Sequence, residues 1–412
     1  MAIQSTTFEQ ELSYDDMFNV HPHELLLSFK EHQFNLEEGT TCNFSVVERI
    51  NKNKINPVVR RATFNDINDI ISVYRDIYGP TYPYKEMMDP EEVNKKITSN
   101  NVEWLVFESK TGEIAGCLTF ELDFKKKIGY ARGFNIKNKY SGKLDAFKAC
   151  LGSFVAMYHK YNDKIFRWYA ENRTAHAKSQ YAFSAAGLKP LAFMPNKDIF
   201  FGKVESDVFM ISYDHRALTR LRSNNIPQII PEIMNCFQIT CQKLHPLSYH
   251  IYSKKLNYDH VLVSLLKDKI RVERDKDRFG YEKFNLSIKG TDSYFKFLYT
   301  PSVKNFEKTE YKVDSLEELQ GFLQKFIIIS RKLDIRYVEC FVSAYKPEHQ
   351  LIFQDMGFIP RGYIPSWYYN TEINRFEDSI LYNCINEPIS KNLNLIKEAV
   401  ELLNNLNLAY TR

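Results

Sequence analysis

Apolar residues recur at helix and strand spacing along most of the chain from residue 57 onward. The run VVRRAT at 58–63 predicts a strand, and a Thr63-x-x-Asp66 box predicts that a helix follows it. The prolines of 78–84 predict a loop, because proline cannot sit inside a helix. The next predicted elements are a helix at 90–98, strands at 103–109, 113–124 and 128–136, a helix with an apolar stripe at 144–158, and a buried strand at 165–172.

Two segments, 180–195 and 350–365, repeat one another without a gap. The identical pairs are Gln180/Gln350, Phe183/Phe353, Gly187/Gly357, Pro190/Pro360 and Pro195/Pro365. Each segment predicts a helix closed by glycine, a turn set by proline and a strand ended by the second proline. A duplicated unit explains the match most economically.

The same order of elements returns about 170 residues later, more loosely. Its predicted members are helices at 229–244 and 261–269, strands at 270–274, 281–288 and 294–300, and a long helix opened by a Ser315-x-x-Glu318 box. The helix at 229–244 is expected to correspond to the first helix of the earlier half. The pattern predicts an α/β fold class with two halves in tandem, not one large sheet.

The domain limits follow from these patterns. They are a polar N-terminal extension at 1–56 with one helix near 24–34, a first domain at 57–215, a second at 220–388, and an amphipathic C-terminal helix at 389–412, outside the repeat.

Composition narrows the class of protein. The 412 residues are 44% apolar and 14% aromatic, which fits either large ordinary cores or a long apolar pocket. Seven cysteines without a CxxC pair favour a reducing compartment, and Cys236, Cys241 and His245 have the wrong spacing for zinc. No apolar run reaches membrane-spanning length and the N-terminus is polar, so we expect a soluble cytoplasmic protein. A net charge of +4 does not call for a nucleic-acid partner.

The order of elements resembles the GCN5-related N-acyltransferase (GNAT) family over 57–214 and, more weakly, over 220–386. The most specific part is the segment at 171–193, which is similar to the late strand–helix element of that family. The resemblance implies two tandem GNAT-like mixed-sheet domains with flanking helices. It also implies an acyl-CoA or acetyl-CoA co-substrate and no metal.

A donor site is implied by the loop that matches the family's phosphate-binding run. Lys139 and Gly142 fall on the first residue and the glycine of that run, although the family has Gln or Arg first and a small residue where Leu144 stands. The preceding strand would hold the pantetheine arm. The implied donor-binding residues are Phe134, Asn135, Ile136, Lys137, Lys139, Tyr140, Ser141, Gly142 and Lys143. A basic turn that caps a helix is the alternative interpretation.

The family's usual catalytic Glu and Tyr fall on Ile128 and Phe183, so neither group is present. The nearby substitutes are Glu171 and Asn172 at the end of the fifth strand, and Glu121 and Asp123 on the third. Glu171 is the preferred base, and Tyr181 or His176 the acid. Positioning with a water relay is the alternative. The loop at 78–84 occupies the acceptor position, where Tyr82, Tyr84, Glu86 and Glu121 would receive a cationic amine, unless it is only a rigid surface loop.

The second half has no glycine at 300–315, between the predicted strand at 294–300 and the long helix, so it lacks a loop that a phosphate could approach closely. It is therefore expected to buttress the first half, to shape the acceptor groove or to mediate self-association as a homodimer.

The function expected from the resemblance is transfer of an acyl group, from acetyl to fatty acyl, from a CoA or carrier-protein thioester to a primary amine. A lysine-type side chain of a peptide or protein is the expected acceptor. Two alternatives stay open. One is an inactive double domain that binds a thioester or a peptide. The other is an acyltransferase that acts on charged tRNA, which would require a continuous basic face.

Overall fold

The computed structural model describes residues 6–8, 11–12, 25, 28–29, 34–46, 54–244 and 247–408. The predicted helix near 24–34 lies almost wholly outside these residues.

The described secondary structure consists of short strands near the N-terminus followed by two similar halves. The strands are β1 (Thr6–Phe8), β2 (Glu11–Leu12), β3 (Thr40–Cys42), β4 (Ser45–Val46), β5 (Val58–Arg61), β6 (Val102–Glu108), β7 (Ile114–Asp123), β8 (Ile128–Ile136), β9 (Arg167–Arg173), β10 (Lys189–Phe200), β11 (Lys203–Tyr213), β12 (Gln228–Ile229), β13 (His250–Ile251), β14 (Ile270–Lys276), β15 (Glu282–Ile288), β16 (Tyr294–Thr300), β17 (Asn305–Lys312), β18 (Tyr337–Ser343), β19 (Ile359–Asn370) and β20 (Arg375–Ile385). The helices are α1 (Ile67–Tyr78), α2 (Pro90–Thr98), α3 (Ala146–Lys160), α4 (Lys178–Ala185), α5 (His215–Leu218), α6 (Met234–Lys243), α7 (His260–Lys269), α8 (Leu316–Lys332), α9 (Pro347–Asp355) and α10 (Lys397–Asn405).

Both predicted capping boxes form. Thr63 and Asp66 open a 3-10 turn that leads into α1, and Ser315 and Glu318 open α8. In the repeats, Gly187 and Gly357 have φ values of 88° and 87°, which end α4 and α9 as predicted. The predicted α/β class is confirmed.

Sixteen of the described strands, from both halves, form one continuous sheet, whereas the sequence predicted two separate sheets. The pairs β12–β13 and β2–β4 form separate two-stranded sheets. The order in the large sheet is β1-β3-β5-β6-β7-β8-β9-β11-β10-β19-β20-β18-β17-β16-β15-β14. The second half mirrors the first, and the halves meet where β10 pairs antiparallel with β19 at Ala192 and Gly362. These two residues are repeat equivalents, so an approximate two-fold axis passes between them.

Close packing at this axis requires a glycine. A Cβ atom built on Gly362 would lie 2.3 Å from the Ala192 Cβ and 2.4 Å from the carbonyl oxygen of Leu191. Because both contacts are far inside van der Waals distance, a side chain at this position would force the halves apart.

Two arginines tie each half to the other across the axis. Arg336 of the second half donates to the carbonyl oxygen of Asn196, and Arg167 of the first half donates to that of Ser366 at 2.5 Å. Asn196 and Ser366 are repeat equivalents with φ values of 55° and 53°, in irregular parts of β10 and β19. Thus the second repeat proline, which precedes each of them, lies inside a strand and does not end it as predicted.

The helices are distributed differently in the two halves. In the first half, α1 and α2 pack on one face of the sheet, hereafter the inner face, and α3 and α4 pack on the outer face. In the second half, α6, α8 and α9 all share one core, and α7 packs beside α8. Since α6 lies on β19, it is not the structural equivalent of α1, although the sequence predicted that it would be. The C-terminal helix α10 packs on β10 in the corresponding way.

The segment at 300–315 contains a strand that the sequence did not predict. Asn305–Lys312 forms β17, which occupies the sheet position that β8 holds in the first half. The connection from β17 to α8 is therefore only three residues long, at 313–315. Residues 137–145 connect β8 to α3 in the first half.

Candidate functional site: the strand split and the junction cluster

The first half contains a split between two parallel strands. β8 pairs with β9 only over residues 128–130 and 167–169, although β8 continues to Ile136 and β9 to Arg173. An irregularity in the β7–β8 pairing lies next to the split, where Gly133 has a φ of 68°. The strands therefore diverge and leave an edge of β8 facing the gap, where an extended ligand could add to the sheet.

The second half has a corresponding split with a different content. β17 pairs with β18 only at Asn305 and Phe306, and Lys308 has a φ of 53° in the irregular part of β17. The hydroxyl of Thr309 donates to the carbonyl oxygen of Glu339 at 2.7 Å, which links the two diverging strands. This bond closes the second split with the protein's own groups.

Two buried amides lie on the diverging parts of β8 and β9, on opposite faces of the sheet. The Nδ2 atoms of Asn135 on β8 and Asn172 on β9 have no hydrogen-bond partner among the described residues. The two residues are only 4% and 3% exposed. Asn135 does accept from the Tyr78 hydroxyl at 3.1 Å through its Oδ1 atom. Because an unsatisfied buried donor costs about 1–3 kcal/mol, these amides could satisfy a carbonyl-bearing ligand.

Two of the three lysines in the predicted donor loop, Lys137 and Lys139, are already paired with carboxylates. Glu113 forms an ion pair with Lys139 and accepts from the Tyr140 hydroxyl at 2.7 Å. Those hydrogen bonds lower the pKa of Glu113. Lys137 lies 3.9 Å from both Asp69 and Glu113. The other loop residues of the prediction, Ser141, Gly142 and Lys143, are exposed.

The helix that follows the loop begins with a carboxylate. Asp145 is the N-cap of α3, is 1% exposed and accepts from the backbone N–H of Lys148. Residue Ile55, from the end of the N-terminal extension, pairs with Leu144 beside it. The helix N-terminus, which would favour a phosphate, therefore carries its own anion.

A second site lies between the halves on the inner face. We call it the junction cluster, and its members are Tyr84, Glu86, Glu121, Tyr130, Arg132, Glu171, Lys197, Asp198, Asp207, Glu307, Glu339 and Tyr337. It joins residues from both halves. Lys96 also reaches it, because its Nζ atom lies 2.6 Å from Glu121.

Lys197 is the centre of this cluster. Its Nζ atom lies 2.8 Å from Glu171, 3.0 Å from Glu339 and 4.0 Å from Glu307, and the residue is 1% exposed. Burial opposes its charge, but Glu171 and Glu339 together raise its pKa well above the usual value. Burial likewise opposes ionisation of Glu171, yet the Lys197 ammonium keeps the pKa of Glu171 below its ordinary value. Both groups are charged at neutral pH.

Arg132 brings together three of the predicted acceptor residues. Its guanidinium lies 3.6 Å from both Glu86 and Glu121 and 4.9 Å from the centre of the Tyr84 ring. Tyr82 is not part of this group, because it is buried among aromatic rings and its ring centre lies 5.0 Å from that of Tyr74.

Burial raises the pKa values of two further carboxyl groups in the cluster, those of Asp198 and Asp207. The Tyr84 hydroxyl donates to Asp198 at 2.8 Å, and burial raises the pKa of Asp198 to about 6. Burial and the neighbouring Asp198 raise the pKa of Asp207 well above its usual value. The Oδ1 atom of Asp207 has no partner among the described residues. Within the described chain, this oxygen is therefore an unpaired polar atom inside the cluster.

The three predicted catalytic residues do not converge. Glu171 lies on the inner face in contact with Lys197. Tyr181 belongs to the outer face, where its ring centre lies 5.8 Å from that of Phe147. His176 is exposed in the connection between β9 and α4. Their catalytic roles stay predictions, as do those of the donor-loop residues.

Several cluster residues escaped sequence analysis, above all Lys197, Arg132 and Glu339. One signal was available, because Lys197 stands where the second repeat has Trp367. The Trp367 ring stacks on Phe341 with ring centres 4.4 Å apart, so the two equivalent positions differ in chemistry.

Neither a metal site nor a membrane span emerges from the residues that the structure describes. Within them, no group of three or more His, Cys, Asp or Glu side chains could hold a metal ion. No helix in the same residues is long and apolar enough to cross a membrane.

Comparison with known proteins gives similarity to solved structures only. No family model and no curated protein matches the chain. A spermidine N-acetyltransferase from Vibrio cholerae matches 40% of this chain and 97% of its own, with 16% identity and a TM-score of 0.34. A ribosomal-protein-S5-alanine acetyltransferase from Vibrio fischeri matches 38% of this chain and 92% of its own, with 17% identity and a TM-score of 0.33. Both matches leave more than half of the chain unaccounted for.

Proposed function

We propose that the first half is an N-acyltransferase that moves an acyl group from a thioester to a primary amine. The observation that carries this proposal is the split between β8 and β9, which has an irregular strand at Gly133 and two unsatisfied amides beside it. The second half is not proposed to catalyse, because Thr309 bridges its split.

The acceptor would enter from the junction cluster. Glu171 and Glu121 are respectively 16% and 25% exposed at their side chains, so solvent reaches the acidic side of the cluster. The partly exposed carboxylates of Glu171 and Glu121 favour a cationic amine over a neutral or anionic acceptor. A lysine-type side chain on a peptide or protein fits this chemistry, with its aliphatic stem against the tyrosines.

The reaction needs little from the protein beyond positioning. The ammonium acceptor first loses a proton to water, with Glu171 orienting the nitrogen. The neutral amine then attacks the thioester carbon, the new C–N bond forms and the C–S bond breaks. The second nitrogen proton goes to the departing thiolate, directly or through water. Tyr181 and His176 remain candidates for this last transfer.

The test is release of free thiol from acetyl and longer acyl thioesters in the presence of lysine-containing peptides. Glu171→Gln should lower kcat by at least tenfold. Glu339→Gln is the matched control, because it also removes a Lys197 partner but lies on the second half. Equal effects of the two substitutions, or no thiol release with any donor and peptide pair, would refute the catalytic proposal.

A catalytically inactive binding module is the second candidate. It is favoured by the ion pair between Glu171 and Lys197, since a neutralised carboxylate is a weak base. This candidate predicts that acyl thioesters bind without being consumed.

A further inference from the structure

We infer that the donor is recognised through its acylated pantetheine arm and not through the nucleotide pyrophosphate of CoA. The inference rests on the proposed function, because it names the class of donor for the same split. The donor class is therefore a pantetheinyl thioester, whether small or attached to a carrier protein.

The first reason is that the loop has little backbone capacity left for phosphate. Phosphate sites of this kind work because several N–H groups converge without an acceptor of their own. In this loop, most backbone N–H groups already donate to acceptors of the protein. The N–H of Asn138 donates to Asp76 Oδ2 and that of Lys148 to Asp145 Oδ1. The others donate to backbone carbonyl oxygens: Tyr140 to that of Lys137, Ser141 to that of Asn138, Lys143 and Leu144 to that of Tyr140, Asp145 to that of Ile55, and Ala146 to that of Leu144. Eight amides in eleven residues are therefore used by the protein itself.

The second reason is electrostatic. Lys139 and Lys137 face Glu113 and Asp69, and the Asp76 carboxylate accepts the Asn138 amide at 2.5 Å. The buried Asp145 adds an anion at the start of α3. These carboxylates repel a pyrophosphate and offset the attraction of Lys137 and Lys139. Lys143 is exposed, so solvent and salt screen its charge more strongly.

The third reason is that the split offers groups that suit a pantetheine arm. Such an arm carries two amides, and the unpaired edge of β8 beyond residue 130 can bond them as a neighbouring strand would. The unsatisfied Nδ2 atoms of Asn135 and Asn172 can donate to amide or thioester carbonyls. The uncommitted polar groups thus lie at the arm and not at the phosphates.

The test compares ligands that share the arm and differ in the nucleotide. Isothermal titration of the full chain with CoA and with pantetheine should give dissociation constants within about threefold of each other. The affinity for CoA should also change less than about twofold between 50 and 300 mM salt, because no phosphate contact is screened. Acetyl-CoA, S-acetylpantetheine and an acetylated carrier protein are then compared as donors in the thiol-release assay, and a preference for the carrier protein would identify the source of the arm.

Two substitutions separate the arm from the loop. Asn135→Ala should weaken CoA and pantetheine equally, by about tenfold, whereas Lys139→Ala should leave both affinities unchanged. Binding of CoA more than about thirtyfold tighter than pantetheine, with loss of that advantage in Lys139→Ala, would overturn the inference. Equal binding without turnover would refute the acyltransferase proposal and leave the arm-recognition inference standing. The absence of binding by both ligands would refute both.

Discussion

Gln180 and Gln350 make the same three hydrogen bonds from equivalent places in the two halves. Gln180 donates to the carbonyl oxygens of residues 173 and 394 and accepts from the N–H of residue 396. Gln350 donates to those of 343 and 228 and accepts from the N–H of 230. The segment before α10 therefore bonds to the glutamine of the first half in the same way as the segment before α6 bonds to that of the second half. The C-terminal helix belongs to the repeated architecture, although it lies at the other end of the chain.

Removing either glutamine side chain should therefore cost a similar amount of stability. We expect Gln180→Ala and Gln350→Ala each to lower the free energy of unfolding by about 1–3 kcal/mol, because each leaves buried backbone groups unpaired. Urea denaturation measures this. Deletion of 390–412 should destabilise the protein, and adding Gln180→Ala to the deletion should then cost little more. Full additivity would contradict the shared role.

A steric prediction concerns Gly362, the glycine at the approximate two-fold axis. Gly362→Ala should destabilise the protein by about 1–3 kcal/mol, because the new Cβ would overlap Ala192. Gly321→Ala is the control, since its Cβ would meet no atom closer than 3.5 Å and α8 would gain a better helix former. Equal thermal stability of the two variants would show that β10 and β19 do not approach as closely as described.

The buried lysine of the junction cluster should be needed for stability. Lys197→Met leaves Glu171 and Glu339 facing each other without a cation, and we expect a loss of about 3–5 kcal/mol at pH 7. The loss should be smaller in the triple variant that also carries Glu171→Gln and Glu339→Gln. Chemical denaturation of the set measures both effects. An unchanged unfolding midpoint for Lys197→Met would mean that the three charges do not share one buried site.

Asp198 should make the protein less stable as the pH rises. Its pKa in the fold is about 6, against an ordinary value of 3.8, so the folded state binds more protons between these values. Its contribution to stability is complete below pH 3.8 and is lost as the pH passes 6. We therefore expect Asp198→Asn to gain about 2–3 kcal/mol relative to the wild type between pH 4 and pH 7.

Urea denaturation at several pH values checks this dependence. Asp292→Asn, on an exposed turn between β15 and β16, is the control and should follow the wild type at every pH. A difference between Asp198→Asn and the wild type that shrinks with rising pH would contradict the assignment of a raised pKa.

Local signals in the sequence predicted most of the elements. The Thr63 and Ser315 boxes and the two closing glycines depend on neighbouring residues, and they lie where expected. Local signals in the sequence failed to predict the position of elements whose packing depends on non-local contacts. Helix α6 has the same apolar spacing whether it covers the inner face or lies on β19, so periodicity could not place it.

The candidate site was harder to predict for the same reason. The glutamate at 171 could be chosen from its strand, but Glu339 and Lys197 reach it only because the two halves share one sheet. In the donor loop, the lysines were visible and their partners were not. Asp69 and Asp76 lie on α1, more than sixty residues away from the loop, and only the fold brings them to it.

Hydrogen–deuterium exchange with and without a saturating acyl-pantetheine thioester tests the unequal roles of the two splits most directly. We predict slower exchange for the backbone amides of 131–136 on β8 and 170–173 on β9, because the arm adds to that edge. Exchange at 307–311 on β17 should not change. Protection confined to β17 and β18, or no protection in either half with acyl-pantetheine and acyl-CoA alike, would contradict a donor site in the first half.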